Sequence, residues 1–343
     1  MIIDIIIIRN IILDVFCAES AYAEYSSASS NRSSIKRNAV WPEFKNVKGD
    51  SPMKILDGGM GRYLKEIGAP FDQPEWSALA LMEEPSAVSQ AHNAFIDAGA
   101  QIITTNSYAV VPFHIGEERF SKRGAELLAL AGKLARDVKE SRSDDVIVAA
   151  SIPPVFGSYK PSEFETKAGI SMLTVFKQYL LPHTDVVLAE TISCIKEILA
   201  IQSVFDDSGQ PLWLSLTLED ENYSSDPRLR SGESLSDAIK YMDIKNIKAL
   251  LFNCSQPEVM GAAVAMACKK MPMGTEIGVY ANGFKPISNT IEANDGYSTM
   301  REDLTPESYL EFAEQWKAQG ATIVGGCCGV GVEHISMLKA LQD

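Results

Sequence analysis

The chain has 343 residues, of which 46% are hydrophobic, and a formal net charge of −14. That size and apolar content suit a soluble globular protein with one large domain or two ordinary ones. The acidity argues against a nucleic-acid or anionic-membrane partner, because phosphates repel such a surface. Six cysteines are too few for a disulfide scaffold in a chain this long.

The amino terminus, "MIIDIIIIRNIILDVFCAESAYA", carries an apolar run and a small-residue "AYA" resembling a cleavage site. Asp4 precedes any basic residue, and Arg9 and Asp14 interrupt the run. It therefore makes a poor signal peptide and a poor membrane span. The polar, Ser-rich "EYSSASSNRSSIKRN" that follows reads as a linker. Residues 1–52 are expected to lie outside the fold and 53–343 to form it. A cytoplasmic location is expected, with export through the leader as the alternative.

From Met53 onward one theme repeats: a short apolar strand, a loop with Gly, Pro or Asn, then a helical stretch. The predicted strands are 53–59, 100–108, 145–154, 185–191, 212–218, 247–255, 276–283 and 321–329. Each is a nearly continuous run of Ile, Val, Leu and Ala, as in strands of a parallel sheet covered on both faces. Between them, "PSAVSQAHNAFIDAGA" sets Val88, Ala91, Phe95 and Ala98 on one helical face and stops at Gly99. "AELLALAGKLARDVKE" follows the same period. "TPESYLEFAEQWKAQGA" starts a helix with Thr305 as cap and Pro306 in the first turn. Eight strand–helix alternations predict a (β/α)8 TIM barrel. A doubly wound open sheet is the runner-up, but no G-x-G-x-x-G follows the first strand.

In such barrels sites form at the C-terminal strand ends. Here those ends read Asp57-Gly58-Gly59, Thr104-Thr105-Asn106, Glu190-Thr191, Asn253-Cys254 and Gly325-Gly326-Cys327-Cys328. A barrel would bring Cys254 to face Cys327 and Cys328 across one mouth. Three thiolates and an open fourth position describe a catalytic zinc site, and soft sulfur donors select zinc over magnesium or calcium. The other reading is two buried thiols and an unrelated Cys254, since the pattern is not a local C-x-x-C pair. Cys194 and Cys268 read as small buried apolar residues.

"LDGGMGRYL", "TTNSY", "AETISCIKE", "FNCS", "RSGESLSDA" and "GGCCGVGVEHI" together resemble the homocysteine S-methyltransferase family, over about residues 53–340. The resemblance implies a zinc-containing (β/α)8 barrel that methylates the homocysteine thiol. By motif, Cys254, Cys327 and Cys328 match the family's zinc ligands. Asp57 and Glu190 match carboxylates that hold the substrate's ammonium, Gly58 and Gly59 match backbone that meets its carboxylate, and Asn253, which precedes the first ligand, is expected among the substrate-binding residues. The implied partners are homocysteine and a small methyl donor, with no nucleic acid or membrane.

A free thiol has a pKa of about 8.5, so little thiolate exists at neutral pH. Zinc would take the homocysteine sulfur as its fourth ligand and favour loss of the proton. Methyl transfer from a cationic sulfur or nitrogen to that thiolate cancels both charges, so no protein base is needed. His92, His114, His183 and His334 accordingly read as structural or exposed. Departures from the family pattern fall at Tyr280-Ala281-Asn282-Gly283-Phe284, where the family often has "YPNSGE", at "GVGVEHI" and at "SIPPVFGSYKP". These segments would border the donor, which is left open among S-methylmethionine, S-adenosylmethionine and a betaine. Alternatives are methylation of another thiol or selenol such as selenocysteine, and a zinc-binding barrel without catalysis.

Overall fold

The protein is known from a computed structural model that describes residues 52–220, 226–285 and 299–342. The expected leader, apart from Pro52, lies outside the described residues. Eight strands form one sheet: β1 (Lys54–Ile55), β2 (Ile102–Thr104), β3 (Ile147–Ile152), β4 (Val186–Ile192), β5 (Leu212–Leu216), β6 (Ile247–Asn253), β7 (Glu276–Tyr280) and β8 (Ile323–Val324). From β2 to β8 each strand pairs in parallel with the next, and β8 pairs with β1 through Lys54–Ile323 and Ile55–Val324. A Leu56–Ile102 bridge closes the ring between β1 and β2, and the Gln101 N–H donates to the Ile55 carbonyl at 2.7 Å. Helices fill every interval between strands, and this is the expected (β/α)8 TIM barrel.

The helices begin and end where their residues dictate. Pro85–Asp97 buries Val88, Ala91 and Phe95 on one stripe and hands over to Gly99 at φ 107°. Thr305 caps Pro306–Gln319 by accepting from the Ser308 N–H, and Gly320 closes it in the left-handed region. β1 and β8 are only two residues long, far shorter than their apolar runs. Past Ile55 and Val324 single backbone bonds, such as Asp57 N–H to the Ile102 carbonyl and Gly325 N–H to the Val279 carbonyl, carry Asp57 and the glycine–cysteine turn on to the mouth.

Two apolar layers hold the barrel. One set of strand residues, including Val187, Ala189, Leu214, Phe252 and Val279, packs outward on the helices. The other, including Ala149, Leu188, Trp213, Leu251 and Ile323, fills the interior. Side chains alternate across a strand, so the residue two beyond each filler also points inward. Two beyond Ala149, Leu188, Trp213 and Leu251 stand Ser151, Glu190, Ser215 and Asn253. A layer of polar side chains therefore lies directly on the apolar plug, at the C-terminal mouth.

Candidate active site

The polar layer is knitted together by side chains from five strands. The Ser151 hydroxyl donates to Glu190 Oε1, and the Tyr280 hydroxyl donates to Oε2 at 3.0 Å. The Ser215 hydroxyl donates to Asn253 Oδ1 at 2.8 Å. Asn253 also spans to Thr191, accepting from its N–H at 2.9 Å and donating to its hydroxyl at 2.8 Å. Thr191 and Cys254 both adopt left-handed backbone, at φ 61° and 50°. Thr191 sits in an irregularity of β4, where the register against β5 shifts between Ala189 and Ile192, and Cys254 turns the chain directly after β6.

Above that layer the three cysteines meet. Cys254 Sγ lies 2.7 Å from Cys327 Sγ, Cys327 Sγ lies 4.0 Å from Cys328 Sγ, and all three sulfurs fall within 4.8 Å of one another. Cys254 is buried, Cys327 half-buried and Cys328 exposed. The turn carrying the pair is fixed on two sides. The Cys327 N–H donates to the Ala281 carbonyl at 3.0 Å, and the Gly283 N–H donates to the Cys328 carbonyl at 2.7 Å. On the β1 side the Gly326 N–H donates to the Asp57 carbonyl at 3.0 Å. A Cβ at Gly59 would stand 2.7 Å from the Cys327 carbonyl oxygen, and one at Gly325 would stand 2.6 Å from Leu56 Cβ. Only glycine permits that approach of strand end to cysteine turn.

The donor set suits a thiophilic metal. Zinc–sulfur bonds of about 2.3 Å in a tetrahedron put sulfurs about 3.8 Å apart. The Cys327–Cys328 separation is already of that size, and Cys254 and Cys327 would part by about 1 Å to match it. Among the described residues no fourth His, Cys, Asp or Glu joins the group. Without a cation the three sulfurs compete for charge. Cys327 is held well above the ordinary thiol range by its bonds to Cys254 and Cys328. The bond from Cys327 favours a Cys254 thiolate, but its bond to Cys328 and its burial outweigh this and push Cys254 up to about 12. Cys328, accepting from both neighbours, is held well below that range. One thiolate is thus stabilised at the expense of two thiols, the electrostatic situation a bound dication relieves.

Two carboxylates border the sulfurs. Asp57 is 2% exposed, and its Oδ2 accepts from the Thr104 N–H at 2.7 Å and from the Thr104 hydroxyl at 3.1 Å. Burial raises it well above the carboxylate range, against the Thr104 bonds, and the Glu190 charge adds to the rise. Burial likewise raises Glu190 to about 7, with the Cys254 charge adding, despite the Ser151 and Tyr280 hydroxyls. Among the described residues no Lys or Arg bonds to either carboxylate. A buried anion pair without a cation is costly, and a cationic group brought between them would lower both pKa values.

Asp57, Glu190, Asn253, Cys254, Cys327 and Cys328 thus gather at one mouth. Gly58 and Gly59 are there too, but the Gly59 N–H already donates to the Val330 carbonyl at 2.9 Å. The Gly58 N–H has no acceptor among the described residues. The polar atoms of Asn253 are engaged by Thr191, Ser215 and, at 4.0 Å, Cys327 Sγ. No histidine bonds to these residues. His334 is occupied at both ring nitrogens by the Gly331 N–H and the Leu304 carbonyl, and His114 meets the Pro74 carbonyl. Sequence reading missed Ser151 and Ser215; it named Thr191 at a strand end, Tyr280 among the departures and Arg230 within "RSGESLSDA" without assigning them these contacts. The i+2 alternation from the apolar fillers was the signal for the two serines.

Comparison with known proteins bears on this arrangement. The family model described as Homocysteine S-methyltransferase matches residues 54–341. A Bacillus subtilis protein named Homocysteine S-methyltransferase YbgG is 29% identical, over 84% of this chain and 94% of its own. A selenocysteine methyltransferase of Astragalus bisulcatus is 25% identical, over 80% of this chain and 88% of its own. The crystal structure of the metallated form of the Escherichia coli homocysteine methyltransferase MmuM superposes with a TM-score of 0.68 at 25% identity. It covers 85% of this chain and 96% of that one.

Proposed function

The chain belongs to the homocysteine S-methyltransferase family and is a methyltransferase of that kind, and from this premise we propose how its site works. Cys254, Cys327 and Cys328 hold one zinc ion, and Asp57 and Glu190 bind the ammonium of homocysteine. The observation that carries this reading is the pairing of a sulfur-only cluster with two buried carboxylates to which no Lys or Arg among the described residues bonds. A barrel without catalysis would have no use for the second feature.

When bound, zinc supplies a Lewis acid that accepts the substrate sulfur and favours its thiolate. The protein supplies the rest. The ammonium enters between Asp57 and Glu190, which its charge keeps ionised, each charge-assisted bond contributing about 1.5–3 kcal/mol. Thr104, Ser151 and Tyr280 fix the carboxylates so that they need not reorganise on binding. The Gly58 N–H faces the substrate carboxylate. Asn253 sets the β6 end against β4 and thereby fixes the thiols relative to Glu190. In the transfer itself a sulfur–methyl bond forms while the donor's sulfur–methyl or nitrogen–methyl bond breaks, and the electron pair returns to the donor atom. No proton moves in that step, consistent with a mouth that has no histidine bonded into it.

The donor is a sulfonium or ammonium compound: S-methylmethionine, S-adenosylmethionine or a betaine. The test is a screen of these donors with homocysteine and zinc-loaded protein, read as methionine formed. Turnover with none of them contradicts the reading. Selenocysteine is the second candidate acceptor, favoured by the similarity to the Astragalus protein, and the same screen with selenocysteine decides between them.

A further inference from the structure

We infer that Arg230, with Thr217 and Tyr159, is a positioning residue that clamps the Cys254 carbonyl and so aims the Cys254 thiol at Cys327 and Cys328. The inference rests on the metal-binding reading above, and it assigns work to residues outside the ligand set.

Cys254 has φ 50°, a conformation that L-residues other than Asn and Asp rarely adopt. Glycine would relax it but would remove the sulfur. Something else must hold the turn, because such strain persists only where the surroundings over-determine it. The Cys254 carbonyl oxygen is where they do so. It accepts from the Tyr159 hydroxyl at 3.3 Å, the Thr217 hydroxyl at 3.3 Å and Arg230 Nη2 at 3.3 Å. The donors come from three places in the chain, after β3, after β5 and from the segment leading to the next helix. Three directions fix an oxygen in space, whereas one bond leaves it free to swing.

Arg230 is itself immobilised. It grips Asp220 with both Nη atoms, at 2.9 and 2.8 Å, and the two side chains are 1% and 0% exposed. Its guanidinium carbon stands 4.8 Å from the centre of the Tyr159 ring, so it also steadies the second donor. An ion pair this deeply buried is weak evidence for stability, since desolvation offsets its attraction. A fixed donor geometry at a strained metal-ligating residue gives it a purpose. Partners outside the ligand set that orient the ligands typically change metal affinity about 10–100-fold when removed.

The test uses the full chain, stripped of metal and titrated with Co2+ against a competing chelator. The thiolate-to-cobalt charge-transfer band counts the sulfurs bound. Two variants are compared with wild type. Asp220→Asn/Arg230→Gln removes the clamp without leaving one charge buried alone, and Tyr159→Phe/Thr217→Val removes the other two donors while leaving the ion pair. Each is expected to bind Co2+ about 10–100-fold more weakly and to show the band of two thiolates rather than three. A purely structural role would lower the melting temperature of the metal-free protein and leave the cobalt affinity and band of the folded fraction unchanged. That result in either folded variant overturns the inference. If the ion-pair variant does not fold, the hydroxyl variant decides alone. If wild type itself binds cobalt without thiolate charge transfer, the metal-site reading fails and the inference falls with it, a result distinct from variants that match a thiolate-bound wild type.

Discussion

The Asn253 side chain holds Thr191 by both its backbone and its hydroxyl, accepting at 2.9 Å and donating at 2.8 Å. Thr191 follows Glu190, and Asn253 precedes Cys254. This one amide therefore ties the strand end that carries Glu190 to the strand end that carries the Cys254 thiol.

Replacing Asn253 with Ala should loosen both at once. The buried Thr191 N–H would lose its acceptor, at a cost of about 1–3 kcal/mol. Urea unfolding of the metal-free protein should show that loss. Homocysteine affinity and metal affinity should both fall in the folded variant. If only stability changes, Asn253 is a structural tie and does not set the site's geometry.

Glu190→Gln keeps the side-chain shape and removes the charge. Homocysteine should bind roughly ten- to a hundredfold more weakly, the equivalent of one charge-assisted bond. Zinc content should not change, because the carboxylate is not among the clustered sulfurs. A thiol without an amino group, such as 3-mercaptopropionate, should be a poor substrate for wild type and lose little further in the variant. Equal weakening of both thiols would show that Glu190 does not bind the ammonium.

Glu190 also sets a pH dependence. Burial raises its pKa to about 7 in the ligand-free protein. Below that pH the carboxyl is protonated and neutral, and it attracts an ammonium poorly. Above it the carboxylate is ionised. Methionine carries the same ammonium as homocysteine but no titrating thiol, so its binding isolates the effect. Its affinity should be level above about pH 8 and fall as pH drops through 7, by about tenfold per unit once one proton must be displaced. Calorimetry across pH 5–9 would show it. A flat profile, or affinity that rises toward acid, would remove Glu190 from the ammonium site.

The barrel was legible because strands covered on both faces must be apolar throughout, and all eight runs announced themselves this way. Their lengths were not legible. β1 and β8 look like full strands in sequence, yet each keeps two residues of regular ladder, and beyond them separate backbone bonds tie Asp57 and the glycine–cysteine turn to their neighbours at the mouth. The thiols and the two carboxylates could be picked out because charged and reactive residues stand out at the end of an apolar run. Ser151 and Tyr280 could not, because a serine or tyrosine at a strand end is unremarkable until register places it on Glu190. The same holds for Arg230 and Asp220, whose pairing depends on how the segment after β5 folds back. The Gly59 N–H bond to the Val330 carbonyl was illegible for a related reason, since nothing local in the sequence announces it.

On the proposed function the three clustered thiols hold zinc with a position open to the substrate sulfur. X-ray absorption at the zinc edge tests it most directly, on the purified protein before and after homocysteine is added. About one zinc per chain is expected, with three sulfurs at about 2.3 Å rising to four on addition of homocysteine, and loss of the metal in Cys327→Ala with the barrel still folded. Zinc whose sulfur count does not change with homocysteine, or a metal-free protein that still forms methionine, would contradict it.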